Sequence, residues 1–471
     1  MREGRFAYVV QIFGCEPWNP GDFGLRGLLR LEGRVLPFIV QKATAEQRSG
    51  KRFGRETKLQ VTRSMRDLIP STETQHTATG KSRGDGRQAG GPATAKDLRI
   101  ALFCGNYNCV RDGANNALNH LVSYLLQQGA QVRIYSPTVA EPAFEPAGDL
   151  VSVRSVAIPG RSEYRLTLGL DKRTREDVRR FRPTHIHVSA PDPQGYQAQR
   201  LARELGCPLV ASLHTRFETY FEYYGLRAFR PWAERYLKAF YSRSDLVLVP
   251  NSQIREELEA WNMGNRLAVW SRGVDRQQFH PAFRSMEWRR SEGWEDADII
   301  PLFFGRLVRE KGIAEFSAAI TKANEAGLKV RPMIVGEGPA EAEFARQLPG
   351  GARFLGRLTG EDLSRAIASA DVLINPSTTE AFGNVNLEAM AAGLAVVSAD
   401  VPSAQALISD NDNGVLVPPH DVEGYAEALA DLAQDDRKRK RLGVMAAASA
   451  MAFTWSAALT DVVQNYLSLI N

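Results

Sequence analysis

Residues 372–390 read Val372-Leu-Ile-Asn-Pro-Ser-Thr-Thr-Glu380-Ala-Phe-Gly-Asn-Val-Asn-Leu-Glu388-Ala-Met390. Val372–Asn375 is a short apolar run of the kind that forms a strand buried on both faces. Pro376 ends it, because proline cannot donate to a strand ladder. Gly383 and Asn384 then open a helix-period segment, Val385–Ala392. Strand, loop and helix in that order make half of a βαβ unit.

The two acids in this stretch sit differently. Glu380 lies in the loop, where a carboxylate can accept hydrogen bonds from sugar hydroxyls. Glu388 comes eight residues later, a turn or more into the helix, where it can accept both hydroxyls of a ribose. The amides of Phe382, Gly383 and Asn384 suit an anion or a sugar oxygen. A plain helix start with acids matched to its dipole accounts for Glu380 but poorly for Glu388.

The same pattern extends on both sides. Ile299–Phe304, Val330–Val335, Arg353–Leu355, Ala395–Ser398 and Val415–Val417 read as strands, with helices at Ala314–Ala326 and Asp362–Ala370. An earlier series reads Leu98–Phe103, Val132–Tyr135, Val151–Ile158, His185–Val188, Leu209–Leu213, Leu246–Val249 and Arg266–Trp270, with helices such as Asn115–Gln128 and Gln197–Leu205. Alternation of this kind implies parallel sheets covered by helices on both faces. The expected fold class is therefore α/β, two doubly wound Rossmann-like domains facing a cleft. Their expected extents are 97–275 and 276–471, joined near Gly273–Pro281. The last helix pattern, Trp455–Ile470, lies beyond the second series and is free to pack back on either domain.

Residues 1–96 differ from the rest. They hold 17 Lys/Arg against 9 Asp/Glu, a charge of +8, which leaves −3 on the remainder of a chain whose net charge is +5. From Thr44 to Lys96 the chain is polar and rich in Gly, Ser and Thr, so it buries too little to offset its ordering entropy. The expectation is a basic, mostly disordered extension; a transit peptide or a misassigned start are the alternatives. A body at −3 argues against nucleic acid as a partner. Four cysteines in 471 residues make no disulfide framework and fit a reducing, cytoplasmic setting. No run reaches the roughly 18 consecutive apolar residues of a membrane span.

In open α/β sheets, ligands gather beyond the carboxyl ends of the strands. Ile299–Phe304 ends in Gly305-Arg-Leu-Val-Arg-Glu-Lys-Gly312, which places Arg306 and Lys311 ahead of a helix as a diphosphate site. Leu98–Phe103 ends in a loop closed by Asp112-Gly113, with Asp112 suited to cap the next helix and Gly113 to close backbone approach. Asp296-Ala-Asp298 and Asp410-Asn-Asp412 are poor metal sites by position, so the metal expectation is none. Between Phe217 and Tyr241 stand ten aromatics interleaved with Arg227, Arg230, Arg235 and Lys238, the composition either of an interfacial helix or of a core helix with snorkelling cations.

Taken together, Gly305-Arg-Leu-x-x-Glu-Lys-Gly312 and Glu380-x-Phe-Gly-Asn-Val-x-Leu-Glu-Ala-Met-Ala391 resemble the retaining glycosyltransferases of family 4, with their GT-B fold. Val335-Gly-Glu-Gly-Pro339, Phe354-Leu-Gly-Arg-Leu358 and Ser271-Arg-Gly-Val-Asp275 resemble that family too, and the likeness runs from Leu98 to about Leu469. It implies donor diphosphate ligands at Arg306 and Lys311, a ribose ligand at Glu388, and donor-sugar contacts at Glu380 and the Phe382–Asn384 backbone. His214, in a His-Thr pair after a strand, is implied to face the donor sugar and, with Glu380, to form the catalytic pair. Gly113 is implied to close over the donor phosphate, although the loop lacks the family's paired glycine. Asp112, Arg216 and Tyr224 are implied on the acceptor side, in the first domain, and Gly356–Leu358 beside the nucleobase. His185 and His187 are read as structural.

The implied reaction moves a hexose from a UDP or GDP sugar, with no cofactor, to an acceptor hydroxyl. The aromatic stretch and the Phe382-Gly-Asn-Val run resemble the mannosyltransferase and sulfolipid-synthase branch, which implies a lipid or lipid-linked acceptor at a membrane surface. The basic extension would add attraction to anionic lipid. The alternatives are a soluble or polysaccharide acceptor, or a nucleotide-sugar-binding protein without activity.

Overall fold

The computed structural model describes residues 26–31, 34–39, 93–110, 112–158, 161–215 and 230–470. Within the expected extension, Arg26–Leu31 pairs antiparallel with Arg34–Ile39; the rest of that segment, to residue 92, lies outside the described residues. The hairpin belongs to a unit of its own, Cys15–Gly91.

The main body contains two parallel sheets. The first has seven strands in the order Leu267–Val269, Leu246–Val249, Leu209–Ser212, His185–Val188, Arg99–Phe103, Gln131–Ser136 and Asp149–Ser152. The second has six, in the order Arg353–Phe354, Met333–Val335, Pro301–Phe304, Val372–Asn375, Ala395–Ala399 and Val415–Val417. In each sheet the chain starts at a central strand, adds strands to one side, and then crosses to the other. Each therefore has a switch point where neighbouring loops diverge and leave a crevice. In the first sheet it lies between Arg99–Phe103 and His185–Val188, and in the second between Pro301–Phe304 and Val372–Asn375. The fold is two Rossmann-like α/β halves.

One expectation needs correction. Val151–Ile158 is not a single strand of the first sheet. Asp149–Ser152 is its edge strand, and Ser155–Ile158 leaves to form a hairpin with Arg161–Thr167. Apolar residues recur from Val151 to Ile158 with Ser152, Arg154 and Ser155 among them, and Val156 is 46% exposed. Pattern alone cannot separate one buried strand from two strands in different sheets.

Trp455–Leu467 packs on the first half, although it follows the last strand of the second. Leu459, Val462, Val463, Tyr466 and Leu467 recur at helical spacing and are buried with Leu98, Ile100, Leu118 and Leu121. Burying each such side chain contributes about 1.5–3 kcal/mol. The chain reaches this position past the domain junction, where Val274 N donates to Phe453 O at 3.1 Å. A Cβ on Gly273 would lie 2.1 Å from Trp455 N, so only glycine permits that approach. The segment Asp436–Leu467 is apolar enough by composition to cross a membrane. It is two helices, Asp436–Ala450 and Trp455–Leu467, with Leu442, Ala446 and Ala450 buried on the first.

Candidate active site

The second switch point brings the Arg306–Lys311 loop and the Pro376–Asn384 loop side by side. Gly312 holds the start of the helix Ile313–Glu325 in a left-handed turn (φ 75°) and lies against Pro376, where a Cβ would come within 2.8 Å. Ser377 and Thr379 hydroxyls donate to Glu310 O at 3.3 and 3.4 Å. This tie places Lys311 Nζ in an ion pair with Glu380 Oε1. Gly336 and Gly338 lie on the same backbone: a Cβ on Gly336 would sit 1.8 Å from Gly305 O, and one on Gly338 2.3 Å from Leu307 O. The Gly-Glu-Gly motif is thus a close-packing device beneath the cation loop. Gly356, at the start of the loop expected beside a nucleobase, accepts from Gly336 N at 2.8 Å.

The helix Asn384–Ala391 starts from Gly383, also left-handed (φ 89°). Buried Asn386 fixes its rotation, accepting from Asn375 Nδ2 at 2.8 Å and donating to Ser398 Oγ at 2.9 Å. Glu388, one turn in from the helix start, is half-buried. Burial, with the charge of Glu380 adding to it, pushes its carboxyl up to about 8.

The first half reaches the same place. Asp112 caps the helix Gly113–Gln127 through Asn115 N at 2.8 Å. A Cβ on Gly113 would come within 2.4 Å of Asn384 Nδ2, so the starts of helices Gly113–Gln127 and Asn384–Ala391 are in contact. Two positive helix ends and two cations therefore converge, an arrangement that suits a diphosphate. Burial raises the Asp112 carboxyl, against the pull of Asn115 N and of the Arg306 and Lys311 charges. The Ser155–Thr167 hairpin adds a residue that the sequence reading missed. Arg306 Nη1 donates to Tyr164 Oη at 2.6 Å, and its guanidinium carbon lies 5.6 Å from the centre of the ring. At the first switch point, burial pushes Asp192 up to about 6, with Thr167 Oγ1 donating to it at 3.0 Å.

His214, just past the end of the strand Leu209–Ser212, is held on both sides. Its ring nitrogens are both engaged within the protein, Nδ1 with Arg272 Nη2 at 3.0 Å and Nε2 with Ser212 Oγ at 2.8 Å. A guanidinium can only donate, so Nδ1 accepts and Nε2 carries the proton. Ser212 Oγ continues to His187 Nε2 at 2.8 Å, and His187 Nδ1 to Tyr466 Oη at 2.7 Å. Burial, then the charge of Arg272, holds His214 well below its usual range, so it is neutral. His185 Nε2 meets Tyr466 O at 3.0 Å, and both strand histidines are fully buried.

Arg216 and Tyr224 lie outside the described residues. Of the aromatic stretch, Arg230–Tyr241 is described, a helix that buries Ala233, Leu237, Phe240 and Tyr241. Asp296 pairs with Arg290 and Asp298 with Arg331, while Asp410 accepts from Leu416 N. These contacts give Asp296, Asp298 and Asp410 structural partners. Among the described residues, no three His, Cys, Asp or Glu cluster as a metal site.

Residues 111–278 match Glycosyltransferase Family 4, and residues 299–435 match Glycosyl transferases group 1. The sulfoquinovosyl transferase SQD2 of Arabidopsis thaliana is 30% identical over 95% of this chain and 87% of its own. A GDP-mannose-dependent alpha-mannosyltransferase of Mycolicibacterium smegmatis is 29% identical over 79% of this chain and 98% of its own. Among solved structures, the sucrose-phosphate synthase of Thermosynechococcus elongatus matches at TM-score 0.64 and 21% identity, over 79% of this chain and 99% of that one. Anabaena HepE, solved with UDP and glucose, matches at TM-score 0.62 and 18% identity over 79% and 100%. The two halves are thus a GT-B fold. With its two catalytic-domain matches and these relatives, the chain belongs to glycosyltransferase family 4 and is an enzyme that transfers a sugar from a nucleotide sugar.

Proposed function

We propose that this enzyme moves a hexose from a UDP or GDP sugar to a hydroxyl of a lipid or lipid-linked acceptor, with retention, working at a membrane surface on the cytoplasmic side. The observation that carries the donor half is the convergence of Arg306, Lys311 and two helix starts at one crevice. Charge develops on the departing diphosphate, and fixed cations and amide dipoles stabilise it without reorganising. In this reading Glu388 accepts the ribose hydroxyls and Glu380 contacts the sugar. Closure of the two halves excludes water, which suppresses hydrolysis of the donor. The mechanism does not call on a metal.

Relatives support the acceptor half. Beside the sulfoquinovosyl transferase, they include a phosphatidyl-myo-inositol mannosyltransferase of Mycolicibacterium smegmatis, 29% identical over 78% of this chain. The reading is tested on the full chain in two steps. Thermal stabilisation by UDP and GDP sugars identifies the base, since a ligand that binds only the native state raises its stability. Transfer of radiolabelled sugar into vesicles containing diacylglycerol or phosphatidylinositol then tests the acceptor. Stabilisation by neither nucleotide sugar overturns the donor reading. Transfer only to a water-soluble hydroxyl overturns the lipid one.

A further inference from the structure

Among the described residues two arginines are almost fully buried, and they differ in company. Arg289 is 1% exposed and reaches both carboxylate oxygens of Asp371 at 3.1 Å. Arg272 is 4% exposed, and no carboxylate among the described residues lies within ion-pair distance of it. Its hydrogen bonds go to neutral groups. Nη1 donates to Trp270 O at 2.7 Å and to Ser271 O at 3.2 Å, and Nη2 donates to the neutral His214 at 3.0 Å.

Its surroundings are aromatic. The guanidinium carbon lies 4.8 Å from the Trp270 ring centre and 5.9 Å from that of Phe382. Cation–π attraction offsets part of the burial, but removing a charge from water without a counter-charge is costly. Phe382 directly precedes Gly383, the cap of the helix that meets Gly113. Arg272 therefore borders the cleft between the halves, beside the expected sugar contacts, while Arg306 and Lys311 serve the diphosphate. The hydrogen-bond chain from His214 through Ser212 and His187 to Tyr466 braces it from behind.

We propose that Arg272 is a further binding residue of the cleft, which takes as its counter-charge an oxyanion (phosphate, sulfonate or carboxylate) carried by a substrate. The shared chemistry is a group with two or more equivalent oxygens able to accept from the guanidinium edge. Three sources supply it: the diphosphate itself, an acidic substituent on the transferred sugar, or an acidic headgroup on the acceptor. The inference deepens the transferase reading and rests on it for the identity of the cleft.

Calorimetry on the full chain, R272Q and R272K separates these sources. The probes are UDP and GDP, then UDP-glucose against UDP-glucuronate, then glycerol 3-phosphate against glycerol. Thermal melts establish that each variant is folded. Wild type is expected to favour at least one anionic probe, and R272Q to lose about 10- to 100-fold in affinity for that probe alone. R272K, which keeps the charge, retains most of the preference. A loss confined to the nucleotides assigns the diphosphate, one confined to UDP-glucuronate the sugar, and one confined to glycerol 3-phosphate the acceptor. A folded R272Q with wild-type affinity for every probe overturns the proposal. Wild type that binds glycerol 3-phosphate through Arg272 but neither nucleotide overturns the donor reading and leaves this one standing. Wild type that binds no anionic probe overturns both.

Discussion

Lys311 and Glu380 form an ion pair across the second switch point, joining the two loops that the transferase reading assigns to the diphosphate and to the sugar. Each is partly exposed, so the pair itself contributes little stability. Its consequence is competition: a diphosphate must draw Lys311 away from a carboxylate that also repels it.

Glu380→Gln is therefore expected to bind free UDP or GDP several-fold more tightly while lowering kcat. Lys311→Ala is expected to weaken the nucleotide by about 10- to 100-fold, the scale of a charge-assisted hydrogen bond. Calorimetry and initial rates on both variants check this. Equal loss of nucleotide affinity in both would show that the carboxylate helps rather than competes.

Tyr164 holds Arg306 through a 2.6 Å hydrogen bond from the first half. Tyr164→Phe removes that contact and keeps the ring. Nucleotide affinity is expected to rise by a few-fold, the net worth of one hydrogen bond being about 1 kcal/mol. A fall in affinity would make the hydroxyl a ligand of the donor instead.

Glu388 carries a pH signature. Its folded pKa, about 8, lies above the ordinary 4.5 because burial disfavours the charge, with Glu380 adding to the effect. The native state then binds more protons than the unfolded chain between those values, so this group's contribution to stability is full below about 4.5 and falls as pH rises toward 8. Donor affinity should run the other way, because ribose hydroxyls donate best to the ionised carboxylate. Urea titrations and calorimetry between about pH 5 and 9 should show both trends in wild type; Glu388→Gln should lose the pH dependence of donor affinity and the part of the stability trend that lies above about 6, the range of Asp192.

Gly336 supports the cation loop from below. Its φ is 139°, and a Cβ there would lie 1.8 Å from Gly305 O, a backbone atom that cannot step aside. Gly336→Ala is expected to cost about 2–4 kcal/mol in urea unfolding. The same change at Gly350, where nothing lies within 4 Å of the new methyl, is the control and should cost far less.

Much of this architecture was readable in local pattern. Short apolar runs such as Val372–Asn375 and Val415–Val417 keep the bounds read for them, and the helix after Gly383 begins where its glycine and asparagine put it. Such features follow from spacing, turn chemistry and burial within a few neighbouring residues. The paired loops Gly305–Gly312 and Glu380–Glu388 identified the family for the same reason, since each motif is contiguous.

What depended on distant parts of the chain was not readable there. Tyr164 reaches Arg306 from 142 residues away, through a hairpin whose first strand follows the sheet's edge strand after only two residues. In the sequence Arg272 is only a member of the junction motif, because nothing local tells a solvated arginine from one enclosed by Trp270 and Phe382. The ties of both His214 nitrogens, to Arg272 and to Ser212, are likewise tertiary. The sequence by itself determined the two α/β halves, the strand ends and the cation loops, because hydrophobic period and turn residues act over short range. Only the tertiary structure decided which charges are paired, which nitrogens are spent and which helix closes on which half, because burial and hydrogen bonding depend on neighbours brought in from across the chain.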